Sequence, residues 1–238
     1  MRSIIVDQRI GEEAERSLEK LGFYVMKAPS FIDLPKANSS HPDTLFFKLG
    51  DRLFTYADYT EAALPILSDV REYHVNTALS FVSDQPRPVY PGDCALNALY
   101  IGGAILAREA SLSSAVKEYA ESIGIKILNV KQGYPACSVL KIDEKSAVTA
   151  DKGMARALSK IGVETLLISE GNIALPPHEY GFIGGASFVF SDKVCFFGDI
   201  DTHPDSGKIR EFAEKRGLKL LSLSSGALTD LGGAVILE

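Results

Sequence analysis

Cysteine is scarce in this chain: there are three in 238 residues, Cys94, Cys137 and Cys195, far apart and without a CxxC pair. That spacing argues against a disulfide framework and a cysteine-built zinc site, and no metal is expected. Basic clusters are absent too, and the net charge is -6, so nucleic acid has no electrostatic foothold. The longest apolar runs stay under ten residues, well short of a membrane span. The N-terminus enters strand-like Ile4-Ile5-Val6 directly, which reads as neither a signal nor a transit peptide, and the expected location is the cytoplasm. There is no GxGxxG, so the paired glycines of Gly181–Gly185 do not suggest a dinucleotide site, and no cofactor is expected.

What is present is the profile of a soluble globular protein, 46% hydrophobic and 24% charged. One phrase recurs along it. Amphipathic stretches at Gly11–Leu21, Ser111–Ile123, Lys152–Ile161 and Ser206–Arg216 each run into a glycine (Gly22, Gly124, Gly162, Gly217) and then a hydrophobic strand. Glycine just past a helix adopts the left-handed conformation that ends it. Ahead of each later helix stands a hairpin pattern with turn residues at its tip: Gly102-Gly103, Asp143-Glu144-Lys145 and Ser191-Asp192-Lys193. A further hairpin turns at Gly50-Asp51, and Pro65 is expected to disrupt the helix after it.

The repeating unit is strand–turn–strand–helix–strand, with starts near His41, Asp93, Ala136, Gly184 and Gly232. Strand Ala234–Leu237 lacks a partner, and Ile4–Val6 can supply one. Head and tail together then make a fifth unit, which gives a single domain over 1–238, closed as a ring without free sheet edges.

Unit starts converge at the ring axis, and the stretch Gln132-Gly-Tyr-Pro-Ala-Cys137-Ser138 is one of them. A thiol between two strands is either a small buried hydrophobe or a nucleophile. His41 leads into a turn or serves as an acid–base group. Asp43 caps a strand entry or grips a substrate, and Asp93, in Pro-Gly-Asp, reads as turn chemistry or a carboxylate ligand. Cys94 and Cys195 read as packing residues, and His74 and His178 as structural. Asp205, in a second His-Pro-Asp, reads as a helix N-cap.

Five such units resemble the penteins, the guanidino-group-modifying superfamily of arginine and agmatine deiminases, dimethylarginine hydrolases and amidinotransferases. His41-Pro-Asp43-Thr-Leu-Phe46 resembles the family's His-x-Asp-Thr-x-Phe, and Gly133-Tyr-Pro-Ala-Cys137-Ser its approach to the nucleophile. The chain looks circularly permuted, with Asp7-Gln-Arg9 similar to the segment after the family's Gly-Gly-Asp strand. In that strand, Gly232-Gly-Ala234, the Asp is replaced. The resemblance implies a five-bladed α/β propeller. It also implies a cysteine-dependent hydrolase or transferase for a guanidine- or amidine-like small molecule, with Cys137, His41 and Asp43 catalytic. Asp93, Asn97, Asp230, Gly184 and Gly185 would border the substrate, with Glu179 a weaker choice. Asp93 or Asp230 would replace the lost carboxylate. The alternative is a silent pentein used as a binding module. The oligomeric state is not legible in this sequence.

Overall fold

The computed structural model describes residues 2–238. Strand β1 (Ser3–Asp7) leads through α1 (Glu12–Lys20) to β2 (Tyr24–Ala28). A one-turn helix α2 (Pro42–Leu45) then opens β3 (Phe46–Leu49), β4 (Arg52–Tyr56), α3 (Leu64–Tyr73) and β5 (Ala78–Val82). The third unit is β6 (Leu99–Ile101), β7 (Ala104–Ala107), α4 (Ser114–Ser122) and β8 (Lys126–Asn129). A second one-turn helix α5 (Pro135–Ser138) introduces β9 (Val139–Asp143), β10 (Ser146–Thr149), α6 (Lys152–Lys160) and β11 (Glu164–Leu167). Last come β12 (Ser187–Phe190), β13 (Lys193–Phe196), α7 (Ser206–Glu214), β14 (Lys219–Ser222) and β15 (Val235–Leu237).

These strands form five three-stranded sheets of one design, an antiparallel hairpin followed by a parallel strand across a helix. The chain ends supply the fifth: β15 pairs antiparallel with β1, Ser3 opposite Leu237, and β1 pairs parallel with β2. The result is a five-bladed α/β propeller. The middle strand of each blade is the most buried: β1, β7 and β10 are buried at every residue. Helices bury an i, i+4 pair against them, such as Ala14 and Leu18 on α1 or Met154 and Leu158 on α6.

Four helices stop in the same way. In each, the glycine N–H bonds a carbonyl three residues back, as Gly162 to Ser159 at 3.1 Å. The next N–H reaches five back, as Val163 to Leu158 at 3.1 Å. Gly22, Gly124, Gly162 and Gly217 have φ of 71 to 87°, and a Cβ at any of them would meet nothing within 4 Å. Backbone conformation, not space, requires them.

Two expectations are corrected. Pro65 does not disrupt α3; it sits in the first turn, where its missing N–H costs nothing and its fixed φ starts the helix. Ring closure also does not remove sheet edges, because the blades remain five separate sheets packed side by side. The outer edges are blunted by exposed charges instead: Lys27, Lys126, Glu164 and Lys219. No helix among the described residues is long and apolar enough to cross a membrane.

Candidate active site

The two one-turn helices aim the chemistry. Each begins with proline in its first turn and gives way at once to a first strand of a blade. His41 is the residue before α2; its carbonyl accepts the N–H of Thr44 and Leu45, each at 3.1 Å. Cys137 lies within α5, whose first N–H groups have no partner in the helix itself. Asn97 supplies one: its Oδ1 accepts the Ala136 N–H at 3.0 Å, while its Nδ2 donates to Cys137 Sγ at 3.6 Å. From α2, Asp43 accepts the Cys137 thiol proton at 2.6 Å. His41 and Asp43, two residues apart, thus face the same cysteine.

The His41 ring is 1% exposed, and neither ring nitrogen has a hydrogen-bond partner. Asp230 Oδ1 stands 3.8 Å from Nδ1, and Asp7 Oδ2 stands 3.8 Å from Nε2. Both carboxylates are fixed. Asp230 accepts the N–H of Phe182 at 2.8 Å and of Gly232 at 3.0 Å. Asp7 takes a two-pronged grip from Arg9, at 2.9 and 2.5 Å, and a bond from Ser40 at 2.8 Å. One ligand-type atom each from His41, Cys137 and Asp230 lies within 4.8 Å of the other two. These are the residues that could hold a metal, although tetrahedral zinc would draw such atoms to about 3.5 Å apart.

Burial and charge set the protonation states. Burial holds His41 below its ordinary pKa, against the pull of Asp230 and Asp7. Burial pushes the Cys137 thiol well up, and the carboxylates of Asp43 and Asp230 push it further. Burial and then Asp230 raise Asp43 to about 8. At rest the centre holds a thiol and a neutral imidazole.

The other sequence candidates divide by place. Asp93 is fully buried, accepts the Tyr134 hydroxyl at 2.5 Å and the Asn38 amide at 3.2 Å, and lines the cavity over Cys137. Asp230 lines it too, and Asn97 acts behind the thiol. Gly184 and Gly185 lie behind Cys137 and are absent from the cavity wall. A Cβ on Gly184 would sit 2.3 Å from the Ala136 carbonyl, and one on Gly185 would sit 1.9 Å from Asp230 Oδ1. They allow close backbone approach, and Gly185 N–H holds the Cys137 carbonyl at 2.9 Å. Asp43 lines a hollow among the first strands, together with Gly184, Ser187 and Gly233, and does not line the cavity over Cys137.

His74 bonds Ser3 Oγ at 2.7 Å and has a structural role, and all three cysteines are buried and free. Asp205 takes the N-cap position of α7 but makes no capping bond. Its carboxylate instead ties the Ser169 N–H at 2.7 Å and Lys208 at 2.6 Å. Two features escaped sequence reasoning. Asp7 had no local signal beyond lying in the segment that resembles the pentein pattern. His178 sits on a loop without a regular element, and it borders the cavity along with Glu179.

No curated protein matches this sequence. Solved structures do match in fold. An agmatine deiminase of C. jejuni superposes with a TM-score of 0.56 at 10% identity, covering 93% of this chain and 87% of that one. An inosamine-phosphate amidinotransferase from Streptomyces griseus gives 0.58 at 13%, covering 93% and 88%. DDAH from Pseudomonas aeruginosa, complexed with citrulline, gives 0.56 at 10%, covering 92% and 91%. At such identities the likeness concerns the fold. The family model described as a family of unknown function, DUF6873, matches residues 5–235, and the chain belongs to that family.

Proposed function

We propose that the protein is a cysteine-dependent enzyme that takes the central carbon of a guanidinium or amidinium group into a covalent adduct with Cys137. One observation carries the reading: a thiol, an unpartnered buried imidazole and a fixed carboxylate lie within 4.8 Å of one another. The structural relatives include enzymes that act on agmatine or are amidinotransferases by name, which supports the substrate class.

The charges fit a centre that waits for its substrate. An arriving planar cation offsets the carboxylates that hold the thiol pKa up, and the thiol then ionises beside the substrate it attacks. Its proton passes to His41, whose cation stands between Asp7 and Asp230. The sulfur–carbon bond forms, and His41 returns the proton to the departing nitrogen as the carbon–nitrogen bond breaks. Water, or an acceptor amine, then gives a proton to His41 and attacks the adduct carbon, releasing Cys137. Product analysis with and without an acceptor amine decides between hydrolysis and transfer.

The test is labelling with 2-chloroacetamidine at neutral pH, read by peptide mass spectrometry. Cys137 is expected to be modified and Cys94 and Cys195 spared. An unmodified Cys137 in the native protein, or equal labelling of Cys94, would favour the binding-module reading.

A further inference from the structure

The cavity over Cys137 is about 460 Å³, a size that suits a small molecule. It is larger than a guanidinium group needs. Its wall beyond the reacting atoms has a definite charge. Asp93 and Glu179 line it together with Tyr90, Tyr134 and Tyr180, and no lysine or arginine is among the described lining residues. Two cations near it are engaged elsewhere. Arg9 holds Asp7 and the Ala37 carbonyl at 2.8 Å, and Arg108 lies over the Tyr90 ring at 5.6 Å.

Besides the two His41 ring nitrogens, one buried polar atom in this wall has no partner. Asn38 is 9% exposed, and its Nδ2 donates to Asp93. A carboxylate accepts only, so the amide orientation is fixed and Oδ1 is the free atom. That oxygen is a buried acceptor without a donor. Leaving it unmade is costly, and the group that satisfies it must bring N–H or O–H. An acceptor next to Asp93, in a wall that also holds Glu179 and three tyrosine rings, favours an ammonium group, through charge-assisted bonds and ring–cation attraction. The same wall opposes a carboxylate, since its lining holds three carboxylates, Asp93, Glu179 and Asp230, against the two imidazoles of His41 and His178 and no lysine or arginine.

We infer that the site takes a guanidine carrying a second positive charge. Its guanidinium group sits at Cys137, and a terminal primary amine sits at a distal subsite of Asn38, Asp93 and Glu179. The inference rests on the guanidine reading of the site, but its test does not need turnover. Calorimetry on the full chain compares three probes of equal reach: 4-aminobutylguanidine, butylguanidine and arginine. They differ only by the amine and by the carboxylate beside it.

The amine-bearing probe is expected to bind roughly tenfold more tightly than butylguanidine, and arginine more weakly than the amine-bearing probe by a similar factor. Glu179 is exposed and bonded to nothing that holds the fold, so Glu179→Lys keeps the protein intact. It is expected to lower the preference for the amine over butylguanidine by roughly fivefold. Arginine binding as well as 4-aminobutylguanidine, an unchanged preference in Glu179→Lys, or no binding by any probe would overturn the inference. Amine-selective binding with an unreactive Cys137 would uphold it and sink the enzyme reading instead.

Discussion

Replacing Asp43 by Asn removes the carboxylate that holds the thiol proton, and the structure sets the size of the effect. The carboxylate oxygen stands 2.6 Å from Cys137 Sγ. At an effective dielectric of about 20, two unit charges at that separation repel by about 6 kcal/mol. Asp43 is mostly buried but keeps some contact with solvent. Halving the figure for that solvent access leaves about 3 kcal/mol, or about two pKa units. The sign is unambiguous: a thiolate beside a carboxylate is disfavoured, so its removal lowers the thiol pKa. The substituted amide also donates to sulfur, as Asn97 already does, which acts in the same direction.

The assay is alkylation by uncharged iodoacetamide across pH 5 to 10, with the modified peptide quantified. A neutral reagent brings no charge of its own, so the rate tracks the thiolate fraction. In the parent, Cys137 is expected to react only at alkaline pH; in Asp43→Asn its midpoint moves down by about two units. A midpoint that stays put or rises would refute the idea that Asp43 suppresses the resting thiol. Guanidine binding runs the other way, since a carboxylate near the cation is lost.

Three further outcomes are expected from the geometry. The Asp43 carboxyl is pushed up to about 8 on folding. Its contribution to stability is therefore present at low pH and lost as pH rises from its unfolded value through 8. Asp43→Asn should gain melting temperature relative to the parent between pH 5 and pH 8.5, and a constant difference would count against the buried carboxyl. Asp7 raises the pKa of His41. Asp7→Asn should accordingly lower the His41 midpoint in an NMR titration, with an unchanged or higher value the contrary result. Gly162→Ala strains only a left-handed helix end and should cost about 1 kcal/mol in denaturant unfolding with chloroacetamidine labelling intact. Gly185→Ala, whose Cβ would sit 1.9 Å from Asp230 Oδ1, should abolish that labelling; equal behaviour of the two variants would contradict their assigned roles.

The ring was legible because its punctuation is local. A glycine such as Gly162 is required by three neighbouring backbone groups, all close in sequence, and the same requirement recurs in four blades. Pairing of the chain ends came from a strand without a partner, which is a counting argument. Pro65 misled because proline starts helices as well as breaking them, and the chain carries no mark of which turn it occupies. Within the site, Cys137, His41 and Asp43 stand in short segments whose order resembles the pentein pattern. Asp7 stands in such a segment as well, but nothing there marks it as a partner of the imidazole; it is a carboxylate at the end of an ordinary strand, and only the ring brings it to His41. Asp205 shows the same limit, since its position is that of a cap while its bonds go to Ser169 and Lys208. Long-range side-chain partners leave no local trace.

Pairing β15 with β1 has a consequence for the time at which the site exists. Of the ring's strands, the one that Asp7 ends leaves the ribosome first, and Asp230 lies just ahead of the strand that completes the same blade. A growing chain can build its hairpins and helices one at a time, since their contacts are short in sequence, while closure between distant strands comes late. His41 and Cys137 are both made well before Asp230. Until that segment arrives, the imidazole has one flanking carboxylate and the cysteine backbone lacks its finished seat. A prematurely terminated chain would carry the thiol without the cradle that controls it. Joining β15 to β1 thus acts as a completion check, tying the assembly of the carboxylate frame around His41 to synthesis of the whole ring.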